Sequence, residues 1–193
     1  LEILKAGGGS LSSVRAVRKI SEEGLLAATL ENAFSALRLG TTTLEIKSGY
    51  GLDTETELKM LAVIDRVGRQ TPLDVVATFM GAHAVPEQYR HIPEDYIDLL
   101  IEEMLPAVMR QGIARYCDVF CEQGVFSVDQ SRRILKAAGT AGLGLKIHAD
   151  EVHDVGGAGL AAELGAVSAE HLLAASDANI ACLATAGTVA VLL

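Results

Sequence analysis

One short stretch of the chain carries residue types that could bind a metal ion and move a proton. Residues 143–151 (LGLKIHADE) predict a short buried strand that ends near His148, and Glu151 follows three residues after that histidine. A neutral imidazole is a common metal ligand, and a nearby glutamate that does not bind the metal can carry protons. The alternative is a strand that merely ends in polar residues, and this stretch alone leaves both interpretations open.

The elements around this stretch alternate between short β-rich runs and longer amphipathic helical runs. Strands are predicted at 41–47, 74–81, 115–121, 144–149, 166–172 and 189–193. Helices are predicted at 11–38, a run that Gly24 could interrupt, and at 53–68, 94–110, 127–141, 156–164 and 176–185. This alternation indicates parallel strands with right-handed crossovers, and barrel enzymes place their chemistry at the carboxyl ends of such strands.

Charged side chains recur on one face of several predicted strands. Period-two alternation places Glu45 and Lys47 on one face of the first strand, and Lys146 shares a face with His148. Asp118 lies on the charged face of the third strand. Because a buried charge without a partner is costly, we expect these groups to pair inside a closed barrel with a polar interior. The alternative places them at strand ends in water.

The composition narrows the class of protein. The length of 193 residues suits one domain, half of the residues are apolar, and the net charge of -9 argues against a nucleic-acid-binding surface. No apolar run reaches the roughly 18 residues of a membrane helix. We therefore expect neither nucleic acid nor a membrane as a partner. Three cysteines do not make a disulfide framework, so a cytoplasmic location is expected.

The predicted strands are too few for a complete (β/α)₈ barrel, which usually takes about 250 residues. We therefore expect an α/β fold that is a partial (β/α)₈ TIM barrel, with about six parallel strands, outer helices, and the first and last barrel strands missing. Residues 1–193 would form a single incomplete domain of a larger protein, and the fragment alone is expected to be inactive.

Six phrases spread along the chain resemble the imidazolonepropionase family of the amidohydrolase superfamily. In order, they are LEIL and GGG within 1–9, TTTLEIKSGYGL at 41–52, GAHAVP at 81–86, DVFCE at 118–122, KIHADE at 146–151 and SAEHL at 168–172. They follow the order of the family and span nearly the whole chain. The combination of KSGYGL, GAHAVP and HADE is specific, whereas no single phrase is.

The resemblance implies a metal-dependent hydrolase that opens the five-membered ring of 4-imidazolone-5-propanoate to N-formimidoyl-L-glutamate in histidine degradation. It implies that His148 binds the metal ion, which would be zinc or iron. It also implies that Glu151 shuttles protons and contacts the substrate, and that His171 orients the attacking water. Tyr50 and His83 match substrate-contacting positions. The partner is then a small-molecule substrate, and the resemblance also allows a homodimer.

Other interpretations stay open at this point. Another amidohydrolase, such as a deaminase of a purine, pyrimidine or triazine ring, would use the same metal-activated water. A truncated barrel that keeps the scaffold but binds no metal is a third interpretation. Glu151 could instead be a carboxylate at a helix start, and Tyr50 could simply pack over the barrel mouth. The glycines at 7–9 could form a mobile loop over the site or a plain turn.

The family pattern includes metal ligands that this chain lacks, namely a His-x-His pair on the first barrel strand and an aspartate after the eighth. The arginine expected to bind the substrate carboxylate is also absent. We expect a full reading frame to encode the His-x-His pair a few tens of residues before Leu1 and the aspartate beyond Leu193. Sequencing of the surrounding gene checks this, and a frame that lacks both would remove the hydrolase hypothesis.

Overall fold

The computed structural model describes residues 10–192 and contains one sheet of six parallel strands. The strands are β1 (Thr43–Lys47), β2 (Asp74–Ala82), β3 (Tyr116–Cys121), β4 (Gly144–Ala149), β5 (Ser168–His171) and β6 (Val189–Val191). Each strand pairs with its neighbour in sequence, and the sheet curls into a half-barrel. The predicted partial (β/α)₈ barrel with outer helices is therefore confirmed.

Eight α-helices occupy the described part of the chain. They are α1 (Ser10–Lys19), α2 (Glu22–Arg38), α3 (Thr54–Gln70), α4 (Pro93–Leu99), α5 (Leu105–Gln111), α6 (Val128–Ala141), α7 (Gly157–Glu163) and α8 (Asp177–Ala186). A single π-helical segment, Leu100–Met104, joins α4 to α5. Helical segments connect each strand to the next, as parallel pairing requires. Within residues 10–192, no helix is long and apolar enough to cross a membrane.

Two helical runs that were predicted from the sequence are interrupted in the structure. The run 11–38 is two helices, and the break falls at Ile20 and Ser21 rather than at Gly24. Ser21 caps α2 because its hydroxyl accepts a hydrogen bond from the Gly24 amide at 3.1 Å, which serine does well at a helix start. The predicted helix 94–110 is interrupted by the π-helical segment. The glycines at 7–9 lie outside the described residues.

Apolar side chains on one face of the strands pack beneath the helices. Phe79, Val119 and Ile147 are fully buried members of one core between the sheet and its helices. A second apolar cluster, which includes Leu26 of α2 and Val67 of α3, holds α2 on the outside of α3. The helices therefore cover one face of the sheet, and the opposite face is left for polar residues.

The polar face carries charges that pair across the interior of the half-barrel. Lys47 Nζ lies 2.6 Å from Asp118 Oδ2, and Lys146 Nζ lies 2.9 Å from Glu45 Oε2. Glu170 on β5 adds a third carboxylate, whose Oε1 is 3.5 Å from Lys47 Nζ and 3.8 Å from Lys146 Nζ. The predicted pairing of the inward charges is confirmed. Its physical basis is that each buried charge needs a partner of opposite sign.

Replacing Lys47 with Met should destabilise the fold more than replacing Lys47 and Asp118 together. The single variant leaves fully buried Asp118 without its ammonium partner, and breaking a buried pair typically costs about 3–5 kcal/mol of the free energy of unfolding. The double variant Lys47→Met/Asp118→Asn also removes the stranded charge. Urea unfolding of the three proteins measures the difference. A double variant as unstable as the single one would show that the unpaired charge of Asp118 is not what destabilises Lys47→Met.

Candidate active site

The five residues predicted to act on the substrate or the metal lie at the carboxyl ends of the strands. His148 is the penultimate residue of β4, and His171 is the last residue of β5. His83 follows β2 directly, whereas Tyr50 and Glu151 lie in the loops after β1 and β4. Because the carboxyl ends of parallel strands meet at one edge of a sheet, these positions share one mouth of the half-barrel.

The side chains form a series of contacts across this mouth. The rings of Tyr50 and His83 meet edge to face, with centroids 4.9 Å apart. The centroids of His83 and His148 are 6.5 Å apart, and those of His148 and His171 are 5.1 Å apart. Glu151 completes the series, since its Oε2 lies 3.8 Å from Nε2 of His171. The structure thus brings all five predicted residues together.

Two carboxylates of the barrel interior contact one nitrogen of His148. Its Nδ1 lies 3.1 Å from Asp118 Oδ1 and 3.5 Å from Glu170 Oε2. Burial alone would raise the pKa of Asp118, but His148 and Lys47 outweigh burial and lower it, so Asp118 is an ionised acceptor. The Nδ1 proton then faces Asp118, and Nε2 is the nitrogen with an available lone pair. A carboxylate in this position commonly orients a metal-binding histidine.

The residues around His148 fit a metal ion. Asp118, His148 and Glu170 each offer a ligand atom, and these atoms lie within 4.8 Å of one another. Glu170 Oε2 is buried and lacks a hydrogen-bond partner within the part of the chain that is described, and burial followed by the Asp118 charge raises the pKa of Glu170. Asp118, however, is already paired with Lys47. The Lys47 ammonium would therefore compete with a metal ion for Asp118, whereas Nε2 of His148 keeps an available lone pair.

The loop that carries Glu151 is held by carboxylates on both sides of it. Asp150 accepts hydrogen bonds from four successive backbone amides at the start of α7, those of Val155, Gly156, Gly157 and Ala158. Glu122 Oε2 accepts a hydrogen bond from the Val152 amide at 2.9 Å, and its Oε1 lies 2.9 Å from Nδ1 of His153. Glu151 is therefore fixed between two anchored segments.

The backbone at the end of β5 is strained in the place where His171 enters the site. His171 and Leu172 have φ angles of 72° and 60°, in the left-handed region. Such a conformation costs a non-glycine residue about 1–3 kcal/mol and persists only where the surroundings enforce it. One enforcing contact is the Leu172 amide, which donates to the Ala149 carbonyl at 3.1 Å. That bond ties the loop after β5 to the end of the strand that carries His148.

Phe120 is a further residue of the mouth, and no sequence motif assigned it a role. Its ring centroid lies 6.2 Å from that of His83 and 5.9 Å from that of His148. The signal that could have found it is the alternation of β3, which places Phe120 on the same face as Asp118. Glu122, by contrast, lies beyond the strand end, where alternation no longer indicates direction.

We expect the imidazoles of His83 and His171 to titrate below pH 6.5. Burial lowers the pKa of both rings from that ordinary value. The unfolded chain then binds these protons more readily than the folded protein. The two rings therefore contribute stability above about pH 6.5 that is lost as the pH falls through their lowered pKa values. Histidine ¹³C NMR titration of the folded protein measures the midpoints, and midpoints above 6.5 would contradict the effect of burial.

The sequence is similar to that of imidazolonepropionases over all of its 193 residues. Identity is 64% to the imidazolonepropionases of Syntrophobacter fumaroxidans and Desulfotalea psychrophila, and 55% to that of Alkaliphilus oremlandii. The chain spans only 46%, 47% and 46% of the length of these relatives. No protein-family model matches the chain.

The fold is similar to parts of two solved structures, a Xaa-Pro dipeptidase and the 5-methylcytosine deaminase from Klebsiella pneumoniae. Both superpose with a TM-score of 0.62, at 14% and 15% sequence identity. The superpositions cover 89% and 91% of this chain and 47% and 44% of those chains. They show a shared fold. Over its whole length, the chain is similar in sequence to imidazolonepropionases, and it spans about half the length of the curated relatives that it matches.

Proposed function

We propose that this chain supplies part of the active site of a metal-dependent hydrolase that acts on a cyclic amide C–N bond. The reaction would open the ring of 4-imidazolone-5-propanoate to give N-formimidoyl-L-glutamate, a step of histidine degradation. The observation that carries the proposal is the convergence of the five motif residues at one mouth, in a chain that aligns throughout with imidazolonepropionases. A cytoplasmic location and a homodimer stay predictions.

Ring opening of a cyclic amide needs an activated water, a polarised carbonyl and a proton for the leaving nitrogen. A metal ion, when bound, would lower the pKa of the water and polarise the carbonyl. His148 would hold the ion through Nε2, and zinc and iron both accept an imidazole nitrogen. Catalytic zinc sites usually have three protein ligands, so we propose that the others come from the parts of a full-length family member that this chain does not span.

We propose that Glu151 moves protons beside the bound substrate and that His171 orients the attacking water. Glu151 is proposed to take a proton from the attacking water and to pass it to the leaving nitrogen. His171 contacts both Glu151 and the ring of His148, and burial lowers its pKa, so its neutral ring can accept a hydrogen bond from the water and orient it. Tyr50 and His83 would contact ring and carbonyl atoms of the substrate from the opposite side of the mouth.

A ring deaminase would use similar groups, but the observations favour the hydrolase. The likeness to 5-methylcytosine deaminase is 15% in sequence and therefore concerns the fold alone. Identity to the imidazolonepropionase of Syntrophobacter fumaroxidans is 64% over all 193 residues, a range that contains every motif residue of the mouth. Ring deaminases and cyclic-amide hydrolases would both use His148 and its neighbours, so these residues do not separate the two classes. The sequence match over the whole chain favours a cyclic amide as the substrate.

In the full-length protein, Glu151→Gln should lower kcat by roughly 10²–10⁴ and leave the metal content nearly unchanged. Glutamine keeps the size of the side chain and one acceptor oxygen but cannot take a proton at neutral pH. His148→Ala should lose metal and activity together. Steady-state hydrolysis measured beside elemental analysis separates the two effects.

The matched control is His91→Ala, since His91 is exposed in the loop before α4 and should keep both metal and activity. Near-normal kcat in Glu151→Gln would mean that another group moves the proton. Loss of metal from that variant would make Glu151 a ligand or a structural residue and would remove the proposed role.

A further inference from the structure

Glu57, in the first turn of α3, is a fully buried carboxylate that the proposed reaction does not use. Its Oε1 accepts hydrogen bonds from the Gly51 amide at 2.8 Å and from the Leu52 amide at 2.9 Å. The Gly49 amide donates to both oxygens, at 2.9 Å to Oε2 and at 3.2 Å to Oε1. Three backbone amides of the loop that carries Tyr50 therefore converge on one side chain.

The loop depends on this carboxylate because its backbone is unusual. Gly49 has a φ of 105°, and a Cβ at this position would lie 2.8 Å from the Met80 carbonyl oxygen. Leu52 has a φ of 56°, in the left-handed region that a leucine rarely adopts. Amides that point into one concavity form an anion-binding arrangement, and here the carboxylate of Glu57 fills it. Burial raises the pKa of Glu57, and the hydrogen bonds from Leu52, Gly51 and Gly49 oppose that effect.

The loop in turn fixes the ring of His83. The Gly49 carbonyl oxygen lies 3.0 Å from Nδ1 of His83. A carbonyl oxygen only accepts hydrogen bonds, so Nδ1 must carry the proton, and in the neutral ring Nε2 is then an acceptor. The Tyr50 ring packs edge to face against the same imidazole.

Helix capping does not account for the position of Glu57. The start of α3 is already capped by Asp53, whose Oδ1 accepts a hydrogen bond from the Thr56 amide at 2.8 Å. A carboxylate that only favours the helix dipole works at the surface, as Glu55 does in the same turn. Glu57 instead loses its hydration and directs both oxygens at the preceding loop. Its contacts therefore serve the loop and not the helix.

We propose that Glu57 is a positioning residue of the active site: it holds Gly49 so that His83 keeps its proton on Nδ1 and presents Nε2 as an acceptor, with Tyr50 packed against it. The part of this inference that concerns the substrate rests on the proposed function. It adds that the substrate must offer a hydrogen-bond donor, an N–H or O–H, to His83. A substrate that offers only acceptors at this point would be rejected.

The first test is the tautomer of His83 in the full-length protein without substrate. With ¹⁵N-labelled histidine and assignment through His83→Gln, NMR should show a protonated Nδ1 and an unprotonated Nε2. A proton on Nε2 would overturn the proposal without any variant of Glu57. This measurement does not need turnover, so it stands even where the protein fails to hydrolyse 4-imidazolone-5-propanoate. That failure would remove the proposed function alone.

The second test is Glu57→Gln. Glutamine can still accept hydrogen bonds from Gly51 and Leu52, but its amino group would replace Oε2. The Gly49 amide would then meet a donor at its shorter contact and keep only the 3.2 Å contact to Oε1. The His83 resonances should then report a mixture of tautomers. Loss of one or two oriented substrate contacts should raise KM roughly tenfold while kcat changes by less than about threefold.

The matched control is Val67→Ala, a fully buried residue about three turns further along α3 that packs against α2. It should lower stability without changing the His83 tautomer or KM. Glu57→Asp, which keeps the carboxylate but shortens the side chain, should give an intermediate shift and replaces Glu57→Gln where that variant does not fold. A Glu57 variant with the wild-type tautomer and the KM of Val67→Ala would overturn the proposal.

Discussion

Compensation of buried charge is the constraint on which the remaining structure depends. The inward ammonium groups of Lys47 and Lys146 pair with carboxylates on strands that are far away in sequence, and the Lys146–Glu45 pair joins positions 101 residues apart. Such pairs form only where the sheet curls enough to bring β1 close to β4. Because unpaired charges in this interior would be strongly unfavourable, the curl and the pairing require one another.

The same chemistry extends from the interior to the mouth of the half-barrel. Asp118 is paired with Lys47 on one side and contacts His148 on the other. Around the rim, Asp150, Glu57 and Glu122 bind backbone amides in place of ammonium groups. Charge-assisted hydrogen bonds of this kind are stronger than neutral ones and have a defined direction. They give precise positions to the backbone of the loops around the mouth.

Much of the fold could be predicted from the sequence, because strand order and the inward face follow from local alternation. Glu45 and Lys47 share a face in any extended strand, so their pairing partners could be sought on other strands with the same pattern. A break near Gly24 was expected, and the Ser21 cap places it at Ile20 and Ser21. The π-helical segment could not be predicted, since no local sequence signal indicated a change of helical register. The bounds at 166–172 were also too long, as β5 spans only Ser168–His171.

The sequence predicted those site residues that lie at the ends of strands. It was less informative about loops that are held by side chains from other elements. His148 and His171 lie at the carboxyl ends of their strands, and motif resemblance added Tyr50, His83 and Glu151. The chemical roles of all five stay predictions. No sequence pattern indicated a role for Glu57 in the site. A glutamate in the first turn of a helix is ordinary in sequence, and its burial becomes visible only once the glycine loop folds back onto it.

The carboxylates around the rim also affect how a mutational survey of this protein would be understood. Asp150 holds four amides and Glu57 holds three, yet neither is proposed to touch the reacting atoms. Substitution of either would displace several backbone groups at once, whereas loss of a single substrate contact displaces none. Sensitivity to substitution would then follow the number of amides that a side chain organises more closely than its distance from the scissile bond. The least tolerant positions need not be the chemically active ones.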